Sequence, residues 1–153
     1  MKKTIICFGD SNTHGFCSAT ISRFDETQRW TALLAQMLGD EYDVKEEGLS
    51  GRTTVFDDPL SEGLNGLAMI TLCLLTHKPV DLLIVMLGTN DTKERFACTP
   101  ENITFGMERL LRKAADTWDA WRTFADQRSH SHSEQDAEVH LIPAQKTICT
   151  RTI

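Results

Sequence analysis

The chain reads as an α/β protein, a flavodoxin-like three-layer parallel sheet with helices on both faces, incomplete at its C-terminal strands. Three observations predict this. Short apolar runs at residues 4–8 and 82–87 alternate with helix-period segments at 28–39 and 65–77. The second run is aliphatic without a break, which suits a parallel strand buried on both faces. Three glycine-bearing polar segments, Gly9-Asp10-Ser11, Gly48-Leu49-Ser50-Gly51-Arg52-Thr53-Thr54 and Gly88-Thr89-Asn90-Asp91, fall where a strand gives way to a loop. In a doubly wound sheet, ligands sit beyond the carboxyl ends of the strands, so all three segments belong to one rim.

Each element has its own signal. Residues 4–8 form a buried strand that stops at Gly9. Residues 28–39 put Trp30, Leu33, Leu34, Met37 and Leu38 on one helical face, with Gly39 placed to end the helix. Residues 41–47 suit a short edge strand. Residues 65–77 form a helix apolar nearly all round, hence covered on several sides, and Pro79 stops it. Thr99 caps a further helix with Pro100 at its first position. Its stripe, Ile103, Met107, Leu110, Leu111, Ala114, Trp118 and Trp121, continues to about residue 125. Residues 126–136 are polar and read as a loop, and residues 137–142 as one more strand. Trp118 and Trp121 are expected in the core or at an interface.

With 153 residues the chain can bury roughly 70% of its unfolded surface around one core. Its division is a core over residues 1–113 and an atypical tail over 114–153 that is not a separate domain. A formal net charge of −6 with dispersed lysines and arginines speaks against a nucleic-acid surface. The longest apolar stretches, 67–75 and 80–87, fall far short of the roughly 20 residues that cross a bilayer. Behind Met1-Lys2-Lys3 the apolar run is too short for a signal-peptide core, so the expected location is cytoplasmic. Five cysteines, odd in number and without a C-x-x-C pair, predict neither a disulfide framework nor a zinc site. His130-Ser131-His132 is read as a solvated loop rather than a metal pair, and no metal is expected. No cofactor is expected either, because the chain has no Walker lysine and no G-x-G-x-x-G turn. Thr13 stands where the G-x-S-x-G elbow of larger hydrolases needs its second glycine.

A buried strand that ends on a glycine, an acid and a serine lifts a hydroxyl out of the sheet edge. Together with Cys7-Phe8-Gly9-Asp10-Ser11, the segments Glu47-Gly48-Leu49-Ser50, Arg52-Thr53-Thr54, Asp57-Asp58-Pro59 and Met86-Leu87-Gly88-Thr89-Asn90-Asp91-Thr92-Lys93 resemble the SGNH, or GDSL, hydrolase superfamily. They are similar above all to its small arylesterase and acyltransferase branch, from residue 1 to about 113. The resemblance implies that Ser11 attacks an ester carbonyl. It also implies that the Ser11 N–H, the Gly51 N–H and the Asn90 side-chain amide hold the oxyanion. An asparagine amide donates without titrating, and losing one such donor costs roughly 3 kcal/mol of transition-state stabilisation. Asp10 is expected to bond backbone groups of its own loop. Arg52 is expected to pair with Asp57 or Asp58 rather than to hold a substrate carboxylate. His14, on the same tight loop as Ser11, is disfavoured as a base.

The superfamily's last block, Asp-x-x-His, supplies the base and its orienting acid, and it is absent here. Asp126 with His130, and Asp136 with His140, have one residue too many, so the triad histidine and aspartate are not identifiable. Beyond about residue 114 the text departs from the family, which favours a frameshift, a misannotated gene end or a truncated product. In a divergent member, His130, His132 and His140 would compete as base. The expected function is a serine esterase on small carboxylic aryl or acyl esters, with water or an alcohol taking the acyl group and activity impaired by the missing block. The alternatives are a non-catalytic remnant that binds esters or acids, and a flavodoxin-like module for phosphate or flavin. Members of the branch are often homo-oligomers, and association of this chain is expected on that ground.

Overall fold

A computed structural model of the protein describes residues 2–128 and 138–141, with side chains through residue 121. In chain order the elements are β1 (Lys3–Gly9), α1 (Ser11–His14), β2 (Phe16–Cys17), β3 (Ser22–Arg23), α2 (Trp30–Leu38), β4 (Tyr42–Gly48), α3 (Gly66–His77), β5 (Leu82–Met86), α4 (Pro100–Arg128) and β6 (Glu138–Leu141). β2 and β3 form a small antiparallel hairpin beside the main sheet. The main sheet is parallel, in the order β4-β1-β5-β6. The doubly wound α/β architecture is therefore present, with the switch of direction at β1.

Register brings the loops together. Gly9 pairs with Gly48 on one side and with Met86 on the other, so β1, β4 and β5 end level. The chain then leaves all three strands at the same rim.

Alternation along the strands sorts the two faces. Ile6, Phe8, Leu83, Val85 and Leu87 point to one side, where Ile70 and Leu74 of α3 and Leu110 and Ala114 of α4 cover them. Each such side chain contributes roughly 1.5–3 kcal/mol through its burial. α4 is continuous through residue 114, and Trp118 still packs against this core. The Thr99 hydroxyl accepts from the Asn102 N–H at 3.2 Å, the cap expected at that position.

The opposite face is thinner. Ile5 and Cys7 are buried there, but Leu82, Ile84 and Met86 are only half-buried. α2 lies on this side, and it departs from the expected stripe: Leu33 and Met37 are exposed, Met37 at 85%, and its buried residue is Thr31. The reason is polar. Thr31 donates to Glu46 of β4 at 2.7 Å, and Arg29 reaches the same carboxylate, so hydrogen bonding sets the phase of this helix. The expectation for α3 is also corrected, since Leu72 and Leu75 are exposed. Composition gave a helix without a polar face, but among the described residues its cover comes from the sheet and α4.

Candidate active site

Three loops meet at the rim, and hydrogen bonds between residues far apart in sequence join each of them to the other two. The first loop begins at Asp10, which caps α1 by accepting from the Asn12 N–H at 2.9 Å and from the Asn12 side-chain amide at 3.1 Å. Ser11 follows as the first residue of α1. Asp10 is 1% exposed. Burial pushes its carboxyl above the ordinary range, and nearby Asp91 adds to this against the lowering bonds from Asn12.

The second loop follows β4. Gly48 has to be glycine, because a Cβ there would lie 2.1 Å from the His14 nitrogen, in the backbone of α1. Gly51 sits at φ +91°, a left-handed conformation that strains any side chain. Arg52 comes next, buried, with its guanidinium 4.0 Å from the centre of the Phe8 ring. It donates to the Gly9 carbonyl at 2.9 Å and also to the Glu47 carbonyl, which fastens this loop to the ends of β1 and β4.

The third loop turns tightly at residues 90–92 after β5. The Asn90 amide donates to the Arg52 carbonyl at 3.0 Å and, more weakly, to the Asp10 carboxylate at 3.4 Å. Asp91, fully buried, accepts from the Thr54 N–H at 2.9 Å and from the Thr54 hydroxyl. Asp91 and Thr54 were quoted in the sequence motifs without a role. They prove to be the brace between the second and third loops.

One expectation is revised and another is extended. Arg52 pairs with neither Asp57 nor Asp58. Asp58 is held by Arg95 in a forked contact, Nε at 3.1 Å and Nη2 at 2.6 Å, and this charge-assisted pair keeps its carboxyl below the usual range. Asp57 accepts from the Asn65 amide at 3.0 Å. Arg52 is drawn instead to backbone carbonyls at the ends of two adjacent strands, and burial lowers its pKa while Cys73, Glu47 and Asp10 oppose the fall. Asp10, for its part, does bond its own loop as expected, but it also reaches Asn90 across 80 positions.

Among the described residues, the N–H groups of Ser11 and Gly51 donate to no protein acceptor. None of those residues bonds the Ser11 hydroxyl, His14 included. His77 is engaged elsewhere, with Glu47 at 2.6 Å. His140 lies in β6 opposite Ile84, known by backbone register alone. His130, His132 and Asp136, and the side chain of Asp126, lie outside the described residues. Trp121 joins Leu74, Leu75, Val80 and Trp118 around a shallow apolar hollow away from the rim. Cys7, Cys17, Cys73 and Cys98 are free thiols. No helix among the described residues is long and apolar enough to cross a membrane.

A parallel sheet whose switch point carries a serine, a glycine in the left-handed region and a buried asparagine on three interlocked loops is a doubly wound α/β fold with a polar site at its rim. The GDSL-like lipase/acylhydrolase family model matches residues 7–144, and the chain belongs to that family. The match extends past residue 113, where the legible motifs stop. Among solved structures, the native aryl esterase of M. smegmatis is 50% identical at a TM-score of 0.70, over 72% of this chain and 54% of that one. Est24, a carbohydrate acetylesterase from Sinorhizobium meliloti, is 46% identical at a TM-score of 0.70, over 73% and 54%. Another carbohydrate acetylesterase family member from Sinorhizobium meliloti is 33% identical at a TM-score of 0.73, over 91% and 61%. The chain thus spans a little over half the length of these structures. No curated protein gives a significant match.

Proposed function

We propose that the chain is built for serine ester hydrolysis on small carboxylic esters, through an acyl-Ser11 intermediate. The observation that carries the reading is the Asn90 amide, held by the Arg52 carbonyl at 3.0 Å and weakly by Asp10 at 3.4 Å. Its second hydrogen is tied by a bond long enough to be surrendered to a stronger acceptor. An oxyanion at ordinary hydrogen-bonding distance is such an acceptor, because the 3.4 Å contact to Asp10 is longer than a good bond. The uncommitted N–H groups of Ser11 and Gly51 supply the other two donors.

In the reaction the Ser11 oxygen bonds to the ester carbonyl carbon as its proton passes to a base. The tetrahedral intermediate then expels the alcohol, which takes a proton. Water or a second alcohol attacks the acyl-Ser11 ester and frees the hydroxyl again. Similarity to the carbohydrate acetylesterases makes acetate the first acyl group to try, and similarity to the aryl esterase makes an aryl leaving group the first alcohol.

A second reading, an ester- or acid-binding fold without turnover, is favoured by one observation: no histidine among the described residues reaches Ser11. One experiment decides between them. p-Nitrophenyl acetate hydrolysis is measured for the purified chain and for Ser11→Ala, with intact mass after an active-serine phosphonate. Hydrolysis that falls by roughly 10³-fold in the variant, with the phosphonate on Ser11, supports the esterase. A folded chain with neither property supports binding alone.

A further inference from the structure

Apart from the rim, the fold brings together three side chains of a kind that ligate metals. Glu47, at the end of β4, and Cys73 and His77, one turn apart on α3, place a carboxylate oxygen, a thiol sulfur and an imidazole nitrogen within 4.8 Å of one another. Sequence spacing does not reveal this set, since Glu47 lies 26 positions before Cys73. We propose that Glu47, Cys73 and His77 form a site for one zinc-like divalent cation, with water as the fourth ligand.

The donor chemistry selects the ion. A thiolate, an imidazole and a carboxylate suit a borderline-soft metal, whereas magnesium and calcium want oxygen alone. In a tetrahedral zinc site the ligand atoms lie about 3.5 Å apart, so closure needs movements of about 1 Å by side chains on firm elements. His77 and Glu47 retain side-chain exposures of 21% and 34%, which leave the ion a way in from solvent. The His77 Nε2 and the Glu47 Oε1 are hydrogen-bonded to each other, 2.6 Å apart.

Charge balances as well. On binding, the Cys73 thiol releases its proton to solvent, the hydrogen shared by His77 Nε2 and Glu47 moves to the ring Nδ1 or leaves to solvent so that a neutral imidazole ligates, and the thiolate and the Glu47 carboxylate together neutralise the dication. Arg52, close enough to both to feel them, then faces a neutral cluster. Without metal, burial pushes the thiol up to about 12, Glu47 adds to this and Arg52 opposes it, so the apo site holds a neutral thiol. The Glu47 carbonyl also accepts from Arg52, so a bound ion would pin α3 to the strand end that anchors the second rim loop.

The test uses the full chain, stripped with a chelator and titrated with Co²⁺. A thiolate-to-cobalt charge-transfer band at stoichiometric ion, bleached by Zn²⁺, is the expected result. Cys73→Ser should abolish the band, His77→Gln should weaken binding at least roughly tenfold, and Cys98→Ser should leave it unchanged. Zn²⁺ should raise the thermal midpoint of the parent chain and of Cys98→Ser but not of Cys73→Ser. Absence of the band in the folded parent chain overturns the proposal and leaves a plain Glu47–His77 hydrogen bond. Persistence of the band in Cys73→Ser overturns it too, because another cysteine then holds the metal.

Discussion

The rim and the apolar layer beneath α3 and α4 are built on opposite principles. Under the helices, Ile6, Phe8, Leu83 and Val85 meet Ile70, Leu74 and Leu110 through contacts without direction. At the rim, Asp10, Arg52, Thr54, Asn90 and Asp91 are buried too, yet each is held by a hydrogen bond that fixes an angle and a distance. The layer sets where the sheet and helices lie, and the rim sets where individual donors point. The difference implies that damage to the layer should appear as lost stability, whereas damage to the rim should appear as lost turnover in a protein that still folds.

The sharpest separation comes from Asn90→Ala. Hydrolysis of p-nitrophenyl acetate should fall by about 10²- to 10³-fold, while the unfolding midpoint moves much less. Equal losses in rate and stability would show that Asn90 is structural. Leu110→Ala is the mirror case. It should cost about 3 kcal/mol in urea unfolding and leave the rate per folded molecule almost unchanged. Thr54→Val tests whether the brace to Asp91 belongs to both regions, because it removes one donor from a buried carboxylate. About 2 kcal/mol of stability should go, with a several-fold fall in rate.

A smaller effect is expected from pH. Burial holds the Asp10 carboxyl above its unfolded value, so the folded state keeps a proton more tightly than the unfolded one. Stability should therefore decline as pH rises from the ordinary carboxylate range through the raised folded value, and remain lower above it. Asp10→Asn should flatten that slope in denaturation midpoints taken across the acid range. An unchanged slope would assign it to other groups. Least of all, Met37→Ser on the exposed side of α2 should shift stability by under about 0.5 kcal/mol.

Arg52 and Asp91 show why the rim was harder to read than the layer. Both stand inside recognisable motifs, yet the partner of Arg52 was misjudged because backbone carbonyls leave no signature in a sequence. Asp58, its expected partner, turned instead to Arg95, 37 positions away. Likewise, the apolar pattern of residues 28–39 located α2 but not its rotation, which Thr31 and Glu46 fix through one bond. Gly48 was legible as a strand end. That it must be glycine follows only from α1 lying across it.

By itself, the sequence determined the alternation of strands and helices, the parallel sheet, and the three strand-to-loop motifs that carry Ser11, Gly51 and Asn90. It could do so because periodicity and strand-ending glycines are local properties, written within a dozen residues. Only the tertiary structure decided that Gly9, Gly48 and Met86 end level, that Asn90 reaches both Arg52 and Asp10, and that Glu47, Cys73 and His77 meet. These are matters of register and packing angle between distant segments, and they depend on how the whole sheet and its helices settle against one another.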